Sequence, residues 1–104
     1  MERLAIELTG IVQGVGFRPF VYNLAVRNKL VGFVRDHEGG VSIEVEGPSS
    51  DVRRFLSELI GQPPPQAHIE SLHWLRKDMR GESEFHIEES VSAPGGVISP
   101  DAAT

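Results

Sequence analysis

Two glycines and an arginine stand at the junction of a strand-like and a helix-like run. The stretch reads Gly10-Ile11-Val12-Gln13-Gly14-Val15-Gly16-Phe17-Arg18-Pro19. Closely spaced glycines let a backbone turn so that several N–H groups aim at one point. The first N–H groups of the helix that follows lack intrahelical partners and carry the positive end of its dipole. A guanidinium at the same mouth completes a place suited to a phosphate or another small oxyanion. The same residues also suit a plain strand-to-helix turn with a solvent-facing arginine, and residue types alone leave both readings open. Two nucleotide motifs are excluded. Pro19 stands where the dinucleotide-binding pattern needs its third glycine, and no Gly-Lys-Ser/Thr follows Gly10 at phosphate-loop spacing.

Other chemistry is poorly supported. The chain has no cysteine, so disulfides, thiolate metal sites and cysteine nucleophiles are excluded. His37, His68, His73 and His86 are scattered. His68 and His73 lie on one expected strand at an odd spacing, so they face opposite sides and form no metal pair. No metal site is expected. Glu44 and Glu46 share a face of another expected strand, read here as solvent-directed, and nothing else supports a glycosidase pair. Trp74 reads as core or rim packing.

The 104 residues suffice for one small domain, with 39% hydrophobic residues to build its core. Net charge is −5, which argues against nucleic acid as the main partner while leaving room for one local anion site. An RNA-binding module is further disfavoured because Val31-Gly32-Phe33-Val34 gives only a fragment of its aromatic signature. No apolar run approaches the roughly 20 residues that span a bilayer. No export leader precedes the first strand. The expectation is a cytoplasmic domain with no membrane contact.

The periodicities supply the elements that would position the loop. Leu4, Ile6 and Leu8 alternate as in a half-buried strand. Pro19 suits a first helical turn, and Phe20, Val21, Leu24 and Ala25 continue a helix over about 19–29. Val31 to Arg35 reads as a second strand, Glu38-Gly39-Gly40 as a hairpin turn, and Val41, Ile43 and Val45 as a third strand. Ser49 or Ser50 is expected to cap a second helix with the apolar stripe Val52, Phe55, Leu56, Leu59 and Ile60. Gly61 and the three prolines at 63–65 stop it. A fourth strand is expected over Ala67 to Leu75 and a short edge strand over Glu84 to Glu88. The order predicts an α+β, ferredoxin-like βαββαβ sandwich, an antiparallel sheet with two helices on one face. Residues 1–90 form the domain. Residues 91–104, with Pro94, Gly95, Gly96 and Pro100 and no periodicity, read as a linker or tail.

Gly10 to Arg18 resembles the first signature of the acylphosphatases. The continuation Arg18-Pro19-Phe20-Val21-Tyr22 and the terminal Ile98-Ser99-Pro100-Asp101-Ala102-Ala103-Thr104 resemble the N-terminal acylphosphatase-like domain of the HypF-type carbamoyltransferases. Those proteins mature nickel–iron hydrogenases. The resemblance implies that Gln13, Gly14, Val15, Gly16, Phe17 and Arg18 bind phosphate, with Arg18 catalytic. It implies a strand-2 residue that holds the attacking water. The family has asparagine there, in the context Gly-aromatic-Val-x-Asn. This chain has Gly32-Phe33-Val34-Arg35-Asp36, so Asp36 takes that place. An ionised aspartate only accepts hydrogen bonds and meets a phosphate as a like charge. A general base, a weakened or silenced site, an engineered substitution, and a hairpin-flanking aspartate without a role are all open for it. The implied activity is hydrolysis of acyl phosphates, with carbamoyl phosphate the natural substrate and no cofactor in this domain. The alternative is a phosphate-binding module with weak or no turnover. The implied partners are the remaining domains of a parent carbamoyltransferase, beginning with a zinc-binding segment after Thr104, and its HypE partner. ATP chemistry would belong to those domains, leading to the cyanide ligand of the hydrogenase iron.

Overall fold

A computed structural model describes residues 1–89. The elements run β1 (Glu2–Ile11), α1 (Phe17–Arg27), β2 (Val31–His37), β3 (Gly40–Gly47), α2 (Ser49–Gly61), β4 (His68–Lys77) and β5 (Phe85–Ile87). The expected tail over 91–104 lies outside the described residues.

Alternation in the strands builds the sheet. Leu4, Ile6 and Leu8 of β1 pair with Val45, Ile43 and Val41 of β3, and all six are buried. Strand order is β4-β1-β3-β2-β5. β1, β2, β3 and β4 form the expected antiparallel, ferredoxin-like arrangement. β5 adds to it by pairing parallel to β2 through Gly32, Phe33 and Val34, so the complete sheet is mixed. The chain leaves β4 at one edge and enters β5 at the other, running in the same sense as β2.

Both helices press apolar stripes into one core: Phe17, Val21, Leu24 and Ala25 from α1, and Val52, Phe55 and Leu59 from α2. Each such large side chain contributes about 1.5–3 kcal/mol when fully buried. α1 begins two residues before the expected Pro19, because Gly16 turns the chain directly into helix. It ends at Arg27, and Lys29 follows with φ 60°. α2 corrects the expected cap. Its N-cap is Pro48 with no side-chain hydrogen bond, so both serines lie inside the helix, with Asp51 in the first turn. Trp74 sits opposite Ile6 on edge strand β4 and is half exposed, a rim position.

β1 is antiparallel to β3, and β3 to β2. β1 and β2 therefore finish at the same end of the sheet. This brings the loop after β1 beside Asp36, near the end of β2.

The other sheet face corrects the reading of Glu44 and Glu46. Both carboxylates are buried and meet a fully buried Arg3. Arg3 Nε lies 2.7 Å from Glu44 Oε1, and Arg3 Nη1 lies 2.9 Å from Glu46 Oε1 and 2.7 Å from Glu82 Oε1. The connection from β4 to β5 folds over this end of the face, and the backbone N–H groups of Arg80 and Gly81 donate to Glu46. Alternation correctly set the two glutamates away from the helices. It could not show that a later segment covers them.

Candidate functional site

The turn from β1 into α1 is anchored at both ends by the core. Val12 and Phe17 are each 1% exposed. Between them, Gly14 and Gly16 adopt φ 72° and 77°, the left-handed region that costs a residue with a Cβ roughly 1–2 kcal/mol. Gly16 is the N-cap of α1. No side chain caps this helix and no acidic residue stands in its first turn. The first intrahelical bond runs from the Phe20 N–H to the Gly16 carbonyl at 3.2 Å. Pro19 has no N–H to satisfy, so its place in this turn loses no hydrogen bond. The N–H groups of Phe17 and Arg18 lie ahead of the first intrahelical bond and remain available.

Val12, Gly14, Gly16, Phe17, Arg18, Pro19 and Asp36 line one open cavity of about 240 Å³. Arg18 Nε stands 3.2 Å from Asp36 Oδ2 across it. The Arg18 side chain is about a third exposed, whereas that of Asp36 is 10% exposed. The second carboxylate oxygen, Asp36 Oδ1, is buried with no hydrogen-bond partner in the protein. A buried acceptor in that state calls for a donor, and a water molecule is the smallest that can supply one. The arrangement can therefore hold an oxyanion on Arg18 and the helix N–H groups, and the Asp36 carboxylate can take a water once its pair with Arg18 opens.

The residues expected at the site divide. Gly14, Gly16, Phe17, Arg18 and Asp36 come together around the cavity. Val15 packs against the core, so only its backbone is free to serve the loop. The side chain of Gln13 turns away. Its Nε2 donates to the carbonyls of His37 and Gly40, at 2.6 and 2.7 Å. Gln13 as a side-chain phosphate ligand is not what this geometry offers. Val12 and Pro19, both inside the glycine stretch, also line the cavity, without a side-chain donor or acceptor to mark them as site residues. His37 is engaged with Glu7, Nε2 to Oε1 at 2.9 Å, and Ser42 Oγ donates to Glu7 Oε2 at 2.6 Å. Among the described residues, no group of three or more histidines, cysteines or carboxylates is placed to hold a metal ion. Among them, too, no helix is long and apolar enough to cross a membrane.

Comparison with known proteins agrees with the fold and the signature. The acylphosphatase family profile matches residues 4–87. A carbamoyltransferase HypF of Rhizobium leguminosarum bv. viciae is 42% identical over the whole of this chain, which spans 14% of that protein's length. An acylphosphatase of Moorella thermoacetica is 40% identical, with 88% of this chain matched to 98% of that protein. In structure, the chain superposes on full-length HypF in its phosphate- and nucleotide-bound form with a TM-score of 0.87 and 36% identity. That match covers 90% of this chain and 12% of that one.

Proposed function

The chain belongs to the acylphosphatase family, and we propose that it hydrolyses acyl phosphates in the cavity between the β1–α1 loop and Asp36, with carbamoyl phosphate as the natural substrate. The observation that carries this reading is Arg18 at an uncapped helix start, beyond two left-handed glycines, with a buried unpartnered carboxylate oxygen opposite.

The chemistry asks little of the protein beyond placement and charge. The phosphoryl oxygens sit on the Arg18 guanidinium and the N–H groups of the loop and first helical turn. Those donors offset charge as the bond from phosphorus to the acyl oxygen breaks. Once the Arg18–Asp36 pair opens, a water held by the Asp36 carboxylate attacks phosphorus on the side opposite the leaving oxygen. Its proton passes to Asp36 or to a phosphoryl oxygen. The acyl carboxylate leaves, carbamate in the case of carbamoyl phosphate, and inorganic phosphate remains. An acyl phosphate is a mixed anhydride with a good leaving group, so this route invokes no metal, cofactor or covalent intermediate.

Asp36 also limits the site. Its Oδ2 occupies the Arg18 Nε edge that a phosphoryl group would use, and its charge repels a phosphate dianion. Substrate binding must loosen that pair. The relation to HypF proteins suggests a larger setting. Carbamate made here would pass to other domains of a parent carbamoyltransferase for activation with ATP and transfer to a HypE partner. Phosphate release from carbamoyl phosphate by this chain, beside Arg18→Ala, tests the hydrolytic step. Equal release by both would overturn the assignment of the cavity. Phosphate binding without any release from the present chain would keep the cavity as a binding site and overturn the hydrolysis.

A further inference from the structure

We propose that Gln13 is a positioning residue. Its side-chain amide ties the anion loop to the β2–β3 hairpin and thereby sets Asp36 opposite Arg18. The role rests on the phosphate site proposed above, but the contact that carries it does not.

Between Val12 and Phe17, Gln13 is the only residue with a polar side chain. A glutamine amide has two N–H donors. Both are used here, one on the His37 carbonyl and one on the Gly40 carbonyl. The orientation of the amide is forced, because both partners are carbonyl oxygens and can only accept. His37 and Gly40 face each other as the last pair of β2 and β3, closing the mouth of the turn at Glu38 and Gly39. One side chain thus grips both strands of the hairpin at once.

The hairpin at this point is built for close approach. A Cβ on Gly40 would stand 1.9 Å from the Leu8 carbonyl oxygen, so only glycine lets β3 begin this near β1. His37 is held from the other side by Glu7 of β1, which Ser42 also engages. Asp36 is the next residue along β2 and pairs with Val41, the next along β3. The donors for the anion belong to the β1–α1 loop, while the acceptor for water belongs to the hairpin. Core packing holds both halves through Val12, Phe17, Val34 and Val41, all nearly inaccessible and part of one cluster. Besides the Arg18–Asp36 pair, which substrate must loosen, Gln13 is the polar bridge between the halves. Losing it should leave the anion cradle intact and blur the placement of Asp36. Small misplacements of this kind lower turnover more than they lower binding.

The test is Gln13→Met, which keeps the length and removes both donors, with Gln13→Asn, too short to reach the hairpin, as a second variant. We expect kcat for carbamoyl phosphate to fall about tenfold or more while the Kd for inorganic phosphate stays within about twofold. Loss of phosphate affinity in step with kcat would make Gln13 a ligand and overturn the proposal, as would an unchanged kcat in both variants. Hydrogen exchange supplies a readout that does not depend on activity. Amides of residues 37–41 should exchange at least about tenfold faster in a folded variant, with the β1–β4 ladder unchanged. Unaltered hairpin exchange would show that the tie is idle. If the present chain neither binds nor releases phosphate, the site assignment fails, and the exchange result still judges the tie.

Discussion

Arg3 and Arg18 both meet carboxylates, and the contrast between them explains why only one can serve a substrate. Arg3 is fully buried and shares its donors among Glu44, Glu46 and Glu82. Burial works against its charge, but the hydrogen bonds to Glu82, Glu44 and Glu46 outweigh that and raise its pKa further. Burial likewise opposes ionisation of Glu44, yet Arg3 and Lys77 hold its carboxyl below the usual range. For Glu46, the Arg80 backbone N–H is the main support, with burial opposing it and Arg3 and the Gly81 N–H adding to it. Arg18 is partly exposed and has Asp36 as its one carboxylate partner among the described residues. Its remaining donors face an open cavity. Arg3, fully buried among three carboxylates and with its unpartnered Nη2 also sealed from solvent, is structural, whereas a partly exposed arginine on an open cavity at a glycine loop can take an anion.

The largest effect should come from breaking the buried Arg3 cluster. Arg3→Met leaves three carboxylates facing one another, and losing one side of a buried ion pair typically costs about 3–5 kcal/mol. Urea unfolding at neutral pH should show a deficit of that size, shrinking as pH falls and the carboxylates protonate. A deficit under about 1 kcal/mol would mean the cluster is a bystander.

Arg18→Ala should reverse the pattern. Stability should change little, whereas phosphate affinity should fall by about 1.5–3 kcal/mol, the worth of a charge-assisted hydrogen bond. Calorimetric titration with inorganic phosphate measures it. Unchanged affinity in the folded variant would make the two arginines alike and remove the site.

Asp36→Asn sharpens the comparison by freeing Arg18 of its one competitor. The amide keeps an acceptor for the water and adds a donor for the phosphoryl group. Phosphate release should rise, about tenfold for each 1.36 kcal/mol of repulsion relieved. A fall in activity, with loss of an ionisation from the pH–rate profile, would instead make Asp36 the general base.

The smallest effect is expected from pH alone in the unaltered chain. Glu44 and Glu46 have lower pKa values folded than their ordinary 4.5. Their contribution is therefore fully present above that value and is lost as pH falls through the folded values. Thermal unfolding should be nearly flat from neutral pH down to about pH 5 and decline below it. A decline already near neutrality would point to other groups.

Local pattern in the chain determined much of this molecule. The alternation of Leu4, Ile6 and Leu8, the stripe from Val52 to Leu59, and Gly14 and Gly16 before Arg18 state the elements and the position of the loop. Each concerns neighbours within a turn or a strand, where backbone geometry dictates which side chains share a face. The family resemblance added Asp36 as the residue opposite. What only the tertiary structure decided are contacts between distant segments. Nothing local says that the Gln13 amide reaches His37 and Gly40, that residues 80–82 cover Glu46, or that β5 runs parallel to β2. Periodicity gives the direction in which a side chain leaves the backbone. Its partner depends on which other segment is folded against that face, and that is settled only when the whole sheet closes.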